Sequence, residues 1–208
     1  MSNRLNLSVT RSNVLRLREE LDFALEGHVL LEQKREVLVM EVTALLEEFR
    51  KRKKEADEKL NEAYRSLEEA YLVLGKDGLS RASLAMSSKE EIEVKDRSIM
   101  GVAIPRVSYS RKETSGHQCG FQGTSASLDK AVSLFGLGLE KLAGLAEVEV
   151  SLRKLAHELK KTQRRANALN YLLIPEYRET IRYLENTLEE KEREEFFQLK
   201  RAKGMHNQ

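Results

Sequence analysis

Tryptophan is absent from this 208-residue sequence, proline occurs twice, cysteine once, and aromatic residues make up only 6% of the chain. A globular domain of this length normally gathers large aromatics around one centre, so the shortage argues against a single compact core. One cysteine, Cys119, excludes an internal disulfide framework and a multi-cysteine zinc site, and it fits a reducing, cytosolic compartment. No run of about 18 apolar residues occurs, which excludes a membrane-spanning helix. Met1 to Thr10 lacks the apolar segment of a signal peptide. An excess of one charge is also missing. With 36 basic and 34 acidic residues the net charge is +2, so the chain as a whole is no polycation drawn to nucleic acid, and any electrostatic role must be local.

What the chain does contain is Leu, Ala, Val, Glu, Lys and Arg in two extended stretches. In the first, Val14, Leu17, Leu21, Ala24, His28, Leu31, Arg35, Leu38, Val42, Leu45, Phe49, Arg52, Ala56, Lys59, Ala63, Leu67, Ala70 and Leu74 follow alternating steps of three and four. That spacing is the seam of a coiled coil. Thr10 or Ser12 can cap the start, and Gly75 with Asp77 and Gly78 supplies a stop. A helix of this length, about 90 Å at the usual rise, needs an equally long partner to cover its stripe.

The second stretch, from about Ser127 to Lys203, provides one. Its seam reads Leu128, Val132, Phe135, Leu139, Leu142, Leu145, Val148, Leu152, Leu155, Leu159, Thr162, Ala166, Leu169 and Leu173. A phase slip is expected between Leu142 and Val148, near Gly136, Gly138 and Gly144. Pro175 removes a backbone donor and predicts a kink after Ile174, beyond which Tyr177, Ile181, Leu184 and Leu188 continue the stripe.

Between the helices the composition shifts to Ser, Gly, Val, Ile and Thr. Ile92, Val94, Ile99, Val102, Ile104, Val107 and Tyr109 bracket Met100-Gly101, which predicts a β-hairpin with Pro105 at an edge position. Ser110 to Ser125, with Gly116, Gly120 and Gly123, reads as a flexible loop. The expected organisation is therefore a mainly α chain: an N-terminal coiled-coil helix over 1–75, a central insertion over 76–125, and a C-terminal coiled-coil helix over 126–208. The two helices should fold back as an antiparallel pair, with both termini at one end and the hairpin at the other.

Motifs that carry chemistry fail on inspection. His157-Glu158 opens a zinc-protease helix pattern, but the second histidine is replaced by Lys161. His117 and Cys119 have no second ligand pair nearby. No phosphate-binding Gly-Lys-Ser/Thr loop exists, so nucleotide hydrolysis would have to belong to partners. Arg50-Lys51-Arg52-Lys53-Lys54 is the densest basic run. It lacks interleaved aromatics and is followed by Glu55 and Asp57, which reads as a solvated face rather than an RNA-binding arm. A coiled-coil adaptor that spaces two partners is the other non-enzymatic reading. His28 and Arg35 fall on the seam, where a polar group fixes register at some cost in stability, or snorkels at the flank.

Four separated motifs resemble one family. Thr10-Arg11-Ser12-Asn13-Val14-Leu15, with Gly27 to Leu31 and Lys34-Arg35, is similar to the first helix of the D subunit of the vacuolar-type and archaeal-type rotary ATPases. Ile99-Met100-Gly101-Val102-Ala103-Ile104-Pro105 resembles that family's central hairpin. Arg164-Arg165-Ala166-Asn167-Ala168-Leu169, followed by Ile174-Pro175 and Ile181-Arg182-Tyr183, and then Glu192 to Lys200 with Phe196 and Phe197, resemble its second helix. The resemblance implies a non-catalytic central-stalk rotor without a cofactor, similar in role to the gamma subunit of F-type ATP synthases. It would turn inside a hexamer of catalytic and non-catalytic subunits, bind the small F subunit of the stalk, and seat on a funnel-shaped subunit above the membrane ring. The membrane would be reached only through partners, and nucleic acid would not be bound. Arg11, Lys34, Arg35, Arg164, Arg165, Asn167, Phe196 and Phe197 become candidates for partner contact, and Ile99, Met100, Gly101, Ile104 and Pro105 mark the hairpin.

Overall fold

The computed structural model describes residues 5, 7–85, 90–111 and 125–206. Helix α1 runs Arg11–Ala85, strands β1 and β2 run Glu90–Ile99 and Val102–Arg111, α2 runs Ala126–Ala168, a π-helical turn occupies Leu169–Leu173, and α3 runs Ile174–His206. The fold is mainly α, a long helix pair with a small antiparallel hairpin between its members. The chain divides into two compact units, Met1–Val37 with Leu159–Gln208, and Leu38–Glu158.

In the first unit the start of α1 packs against α3. Thr10 is the cap: its Oγ1 accepts the amide of Asn13 at 3.3 Å, satisfying one orphan donor of the first turn. Val14, Leu17, Ile181 and Leu184 form the core, with Leu5, Leu7, Val9, Leu21, Tyr177 and Leu188 against it. The segment ahead of α1 is tied down as well. The amide of Leu5 donates to Thr180 Oγ1 at 3.2 Å, while that hydroxyl donates to the Glu176 carbonyl at 2.7 Å. Thr180 is 1% exposed, yet its hydroxyl is satisfied as donor and acceptor. The pairing is antiparallel: Arg11 meets Glu192, Arg18 meets Glu185, and Gly27 lies against Leu169.

The second unit repeats the scheme with smaller side chains. Ala56, Ala63 and Ala70 are each fully buried at seven-residue spacing, and Leu155 and Val148 are buried on α2. Again the order runs in opposite senses, Glu55 to Lys141, Leu60 against Gly138, and Tyr64 edge-on to Phe135 at 5.3 Å. Ser125 precedes α2 as its cap, its carbonyl accepting the amide of Leu128 at 3.0 Å and its Oγ lying 3.3 Å from the same amide.

Every seam position predicted on α1 is buried or half-buried, His28 and Arg35 included. Three other expectations shift. Gly75 interrupts the helix, as expected of a stop, but is not the last residue of α1. It breaks the helix at φ 66° and ψ 174°, a conformation open essentially to glycine alone, and helical turns resume to Ala85. Leu79 and Ala82, beyond the break, pack with Ala70, Leu74 and Leu128. On α2 the predicted seam residue Leu139 is exposed and Gly138 is buried in its place, while Leu142, Leu145 and Val148, across the expected slip, are half-buried or buried at steps of three. The reason is the neighbouring Gly138, whose missing Cβ leaves room for Leu60: a Cβ there would lie 3.1 Å from Leu60 Cδ2.

The third shift is at Pro175. The expected kink takes the form of the π-turn just before it, where the amide of Ile174 donates to the carbonyl of Leu169, five residues back. A proline at 175 has no N–H for the carbonyl four residues earlier and its ring crowds that position, so the helix widens by one residue ahead of it. The consequence is a change of phase. Leu173, the predicted seam residue, is exposed, and Ile174 is buried in its place.

The hairpin forms as predicted. Met100 (φ 51°) and Gly101 (φ 79°) both take positive φ in a two-residue turn, whose twist matches that of the flanking strands. The register sets Ile99 opposite Val102, Asp96 opposite Pro105 and Glu90 opposite Arg111. Ser110 is the penultimate residue of β2, so the strand reaches into what reads as loop. The remainder of that loop, with Gly116, His117, Cys119, Gly120 and Gly123, lies outside the described residues.

Candidate partner interfaces

In an antiparallel hairpin with a two-residue turn, alternate residue pairs turn their amides and carbonyls outward. On β2 those residues are Ala103, Pro105, Val107 and Tyr109. Two of them are held by α2 within the second unit. The amide of Val107 donates to Glu147 Oε2 at 2.9 Å, and Lys154 Nζ donates to the carbonyl of Ala103 at 2.9 Å. Pro105 stands between them on the same edge, where its missing N–H leaves nothing to satisfy. Ile104 is 6% exposed. The hairpin residues singled out by sequence thus have separate jobs: Met100 and Gly101 make the turn, Ile104 is buried, and Pro105 suits an edge. Glu147 and Lys154 were invisible in sequence, because nothing in a charged helix face marks which side chains meet a strand edge 40 or 51 residues away.

The candidates in the first unit divide by exposure. Arg11 is on the surface, with Nε and Nη2 both donating to Glu192 Oε1. That hydrogen bond, and then the charge of Glu192, raises the Arg11 pKa above its ordinary value. Arg35 is half-buried and pairs with Glu32 at 2.7 Å, while its Nε has no hydrogen-bond partner among the described residues. Lys34 is half-buried, and Arg164, Arg165 and Asn167 are exposed. Asn167 Oδ1 accepts from Gln163 at 2.9 Å. Phe196 and Phe197 are each 65% exposed, edge to face at 6.4 Å, and with Glu189, Glu192 and Arg193 they line an open surface concavity. The structure does not gather these residues into one site.

Sequence reading missed three exposed apolar residues on one face of α1. Leu15, Phe23 and Leu30 are exposed, Phe23 at 78%, and their spacing places them on the side of the helix away from Val14, Leu17, Leu21 and Ala24. The signal was present in the spacing but hidden by the stronger seam. Tyr171 and Leu172 are turned outward in the π-turn. The second unit carries an apolar groove of about 390 Å³ lined by Leu67, Tyr71, Leu79, Leu128, Val132 and Phe135.

Among the described residues no group of three or more His, Cys, Asp or Glu is placed to hold a metal ion, and no helix is long and apolar enough to cross a membrane.

Comparison with known proteins agrees with the sequence motifs. The family described as the D subunit of ATP synthase matches residues 13–204. The V-type ATP synthase D subunit of Thermotoga neapolitana is 40% identical over 199 residues, covering 96% of this chain and 98% of that protein. The A-type ATP synthase D subunit of Thermococcus sibiricus is 37% identical over 207 residues, covering 99% and 97%. That of Methanopyrus kandleri is 36% identical over 201 residues, covering 96% and 87%. With near full-length agreement at this level, the chain belongs to the ATP synthase D-subunit family.

Proposed function

We propose that this chain is the central-stalk rotor of a V/A-type ATPase or ATP synthase, transmitting torque between the catalytic hexamer and the membrane ion-translocating ring. It is a non-catalytic subunit. ATP chemistry belongs to the hexamer, and this chain couples to it by presenting different faces to three equivalent sites as it turns. Its other partners are the small F subunit of the stalk and the funnel-shaped subunit above the ring. The protein is cytoplasmic and peripheral, held at the membrane through that complex.

The observation that carries the reading is the arrangement of apolar surface. The helices are already paired through a filled seam, yet Leu15, Phe23 and Leu30, and separately Phe196 and Phe197, remain exposed. An adaptor needs contact at its ends. A shaft turning within a sleeve needs moderate contact along its sides, and scattered apolar residues among exposed charges such as Arg164 and Arg165 suit that.

Reconstitution of the hexamer with and without this chain tests the proposal, reading ATP turnover and the rotation of a bead fixed to the stalk. Rotation and its coupling to turnover should be lost without the chain. Undiminished coupling in its absence would sink the reading, and a Phe23→Ser/Leu30→Ser variant that folds normally should slip at high load.

A further inference from the structure

The two edges of the hairpin differ. The outward groups of β2 face Glu147 and Lys154 of α2, whereas every residue of β1 from Glu91 to Ser98 is exposed. By the same alternation, the outward amides and carbonyls of β1 belong to Ile92, Val94, Asp96 and Ser98. Ile92 and Val94 also carry apolar side chains that are 62% and 59% exposed. An open edge of this kind is a template for another strand.

The charges on β1 say which strand. Glu91, Glu93, Lys95 and Arg97 lie on one face, two acids followed by two bases, symmetric in position about Val94 and opposite in sign. When this strand pairs antiparallel with a copy of itself centred on Val94, each Glu93 faces a Lys95 and each Glu91 faces an Arg97, while Val94 meets Val94 and Ile92 lies beside Asp96. The same register brings the outward groups of both strands together, as a hydrogen-bonded ladder requires. Centring the pair on Glu93 would set that acid against itself, and centring it on Lys95 would do the same for the base. One register therefore satisfies both the backbone and the charges. A second feature favours it. Within the hairpin Lys95 stands directly opposite Arg106, a like-charge pair, and its ion pair is with Glu93 of its own strand at 3.1 Å. The copy's Glu93 would supply an acid on the open side.

We propose that two copies of the free chain associate through β1 in this register, joining their hairpins into a four-stranded antiparallel sheet with two-fold symmetry. The occupant of the edge is a second copy because the strand is its own charge complement. The proposal concerns the chain outside any assembly, so its failure leaves the rotor reading untouched.

Sedimentation velocity of the full chain, from micromolar to near-millimolar concentration, provides the test, with circular dichroism to verify folding. Wild type should show reversible dimerisation. Lys95→Glu/Arg97→Glu and Glu91→Lys/Glu93→Lys should each weaken it by at least about tenfold. An equimolar mixture of the two variants should form the heterodimer, and the fourfold charge-swapped chain should recover self-association. Val94→Pro removes an outward amide that the hairpin does not use and should also weaken the dimer. A wild type that stays monomeric throughout overturns the proposal and means the charges only blunt the edge. A dimer indifferent to these substitutions overturns it too, placing the contact elsewhere.

Discussion

Arg52 reaches across the seam of the second unit to donate from Nη1 to the main-chain carbonyl of Gly144 at 2.9 Å, and that nitrogen lies 3.1 Å from where a Cβ on residue 144 would stand. A predicted seam position is thus filled by a cation whose partner is backbone, while Nη2 pairs with Glu48 on its own helix. An alanine at 144 would require the guanidinium to give way by a few tenths of an ångström.

Gly144→Ala sets two effects against each other. Alanine gains about 1 kcal/mol of helix propensity over glycine, while displacing a charge-assisted hydrogen bond costs about 1.5 kcal/mol, at the low end because Arg52 is partly exposed. Denaturant titration should find the single variant close to wild type. In an Arg52→Ala background the same substitution should stabilise by about 1 kcal/mol. Equal effects in the two backgrounds would show that the contact is not made in solution.

Gly75→Ala should destabilise by about 1–3 kcal/mol, because φ 66° with ψ 174° is strained for any residue with a side chain, although nothing lies within 4 Å of the added carbon. Gly75→Asn should give no relief, since asparagine tolerates left-handed helix but not this extended ψ. Thermal melts of the two variants check it; recovery with asparagine contradicts the assigned backbone.

The hairpin should loosen when Glu147 is removed. In Glu147→Ala the amide of Val107 loses its acceptor, and its hydrogen-exchange protection should fall sharply while seam amides around Leu155 keep theirs. Glu147→Gln, which retains a carbonyl acceptor, should recover part of the protection. Global stability should change by only about 1 kcal/mol in either variant.

The π-turn makes a prediction about deletions. Removing Leu172 together with Pro175→Ala should convert Leu169–Leu173 to ordinary helix while keeping Ile174, Ile181 and Leu184 in phase, and the fold should survive. Removing Glu179 instead turns Ile181 and Leu184 by about 100° away from Val14 and Leu17 and should abolish cooperative unfolding of that unit. Circular dichroism melts distinguish the two.

What sequence reveals here follows from how each feature is encoded. The α1 seam is written in local spacing, so it was legible down to His28 and Arg35. The turn at Met100-Gly101 was legible because positive φ narrows the choice of residue. Leu139 and Leu173 were misplaced because their exposure depends on features a periodic reading cannot see: the Leu60 side chain seated on Gly138 and an extra residue before Pro175. The hold of Glu147 and Lys154 on β2 depends on tertiary placement, and their identities as surface charges carry no trace of it. The candidates for partner contact were named from residue type and motif alone, whereas Leu15, Phe23 and Leu30 needed burial to separate them from the seam.

Ala56, Ala63 and Ala70 have a thermodynamic consequence. At each of these three seam positions the fully buried group is a single methyl, which removes little hydrocarbon from water. The heat-capacity change on unfolding tracks apolar area exposed, so for the second unit it should fall below the usual ~12–15 cal/mol/K per residue. Its stability then varies gently with temperature, a flat curve that holds the two helices together in the cold as well as in the heat.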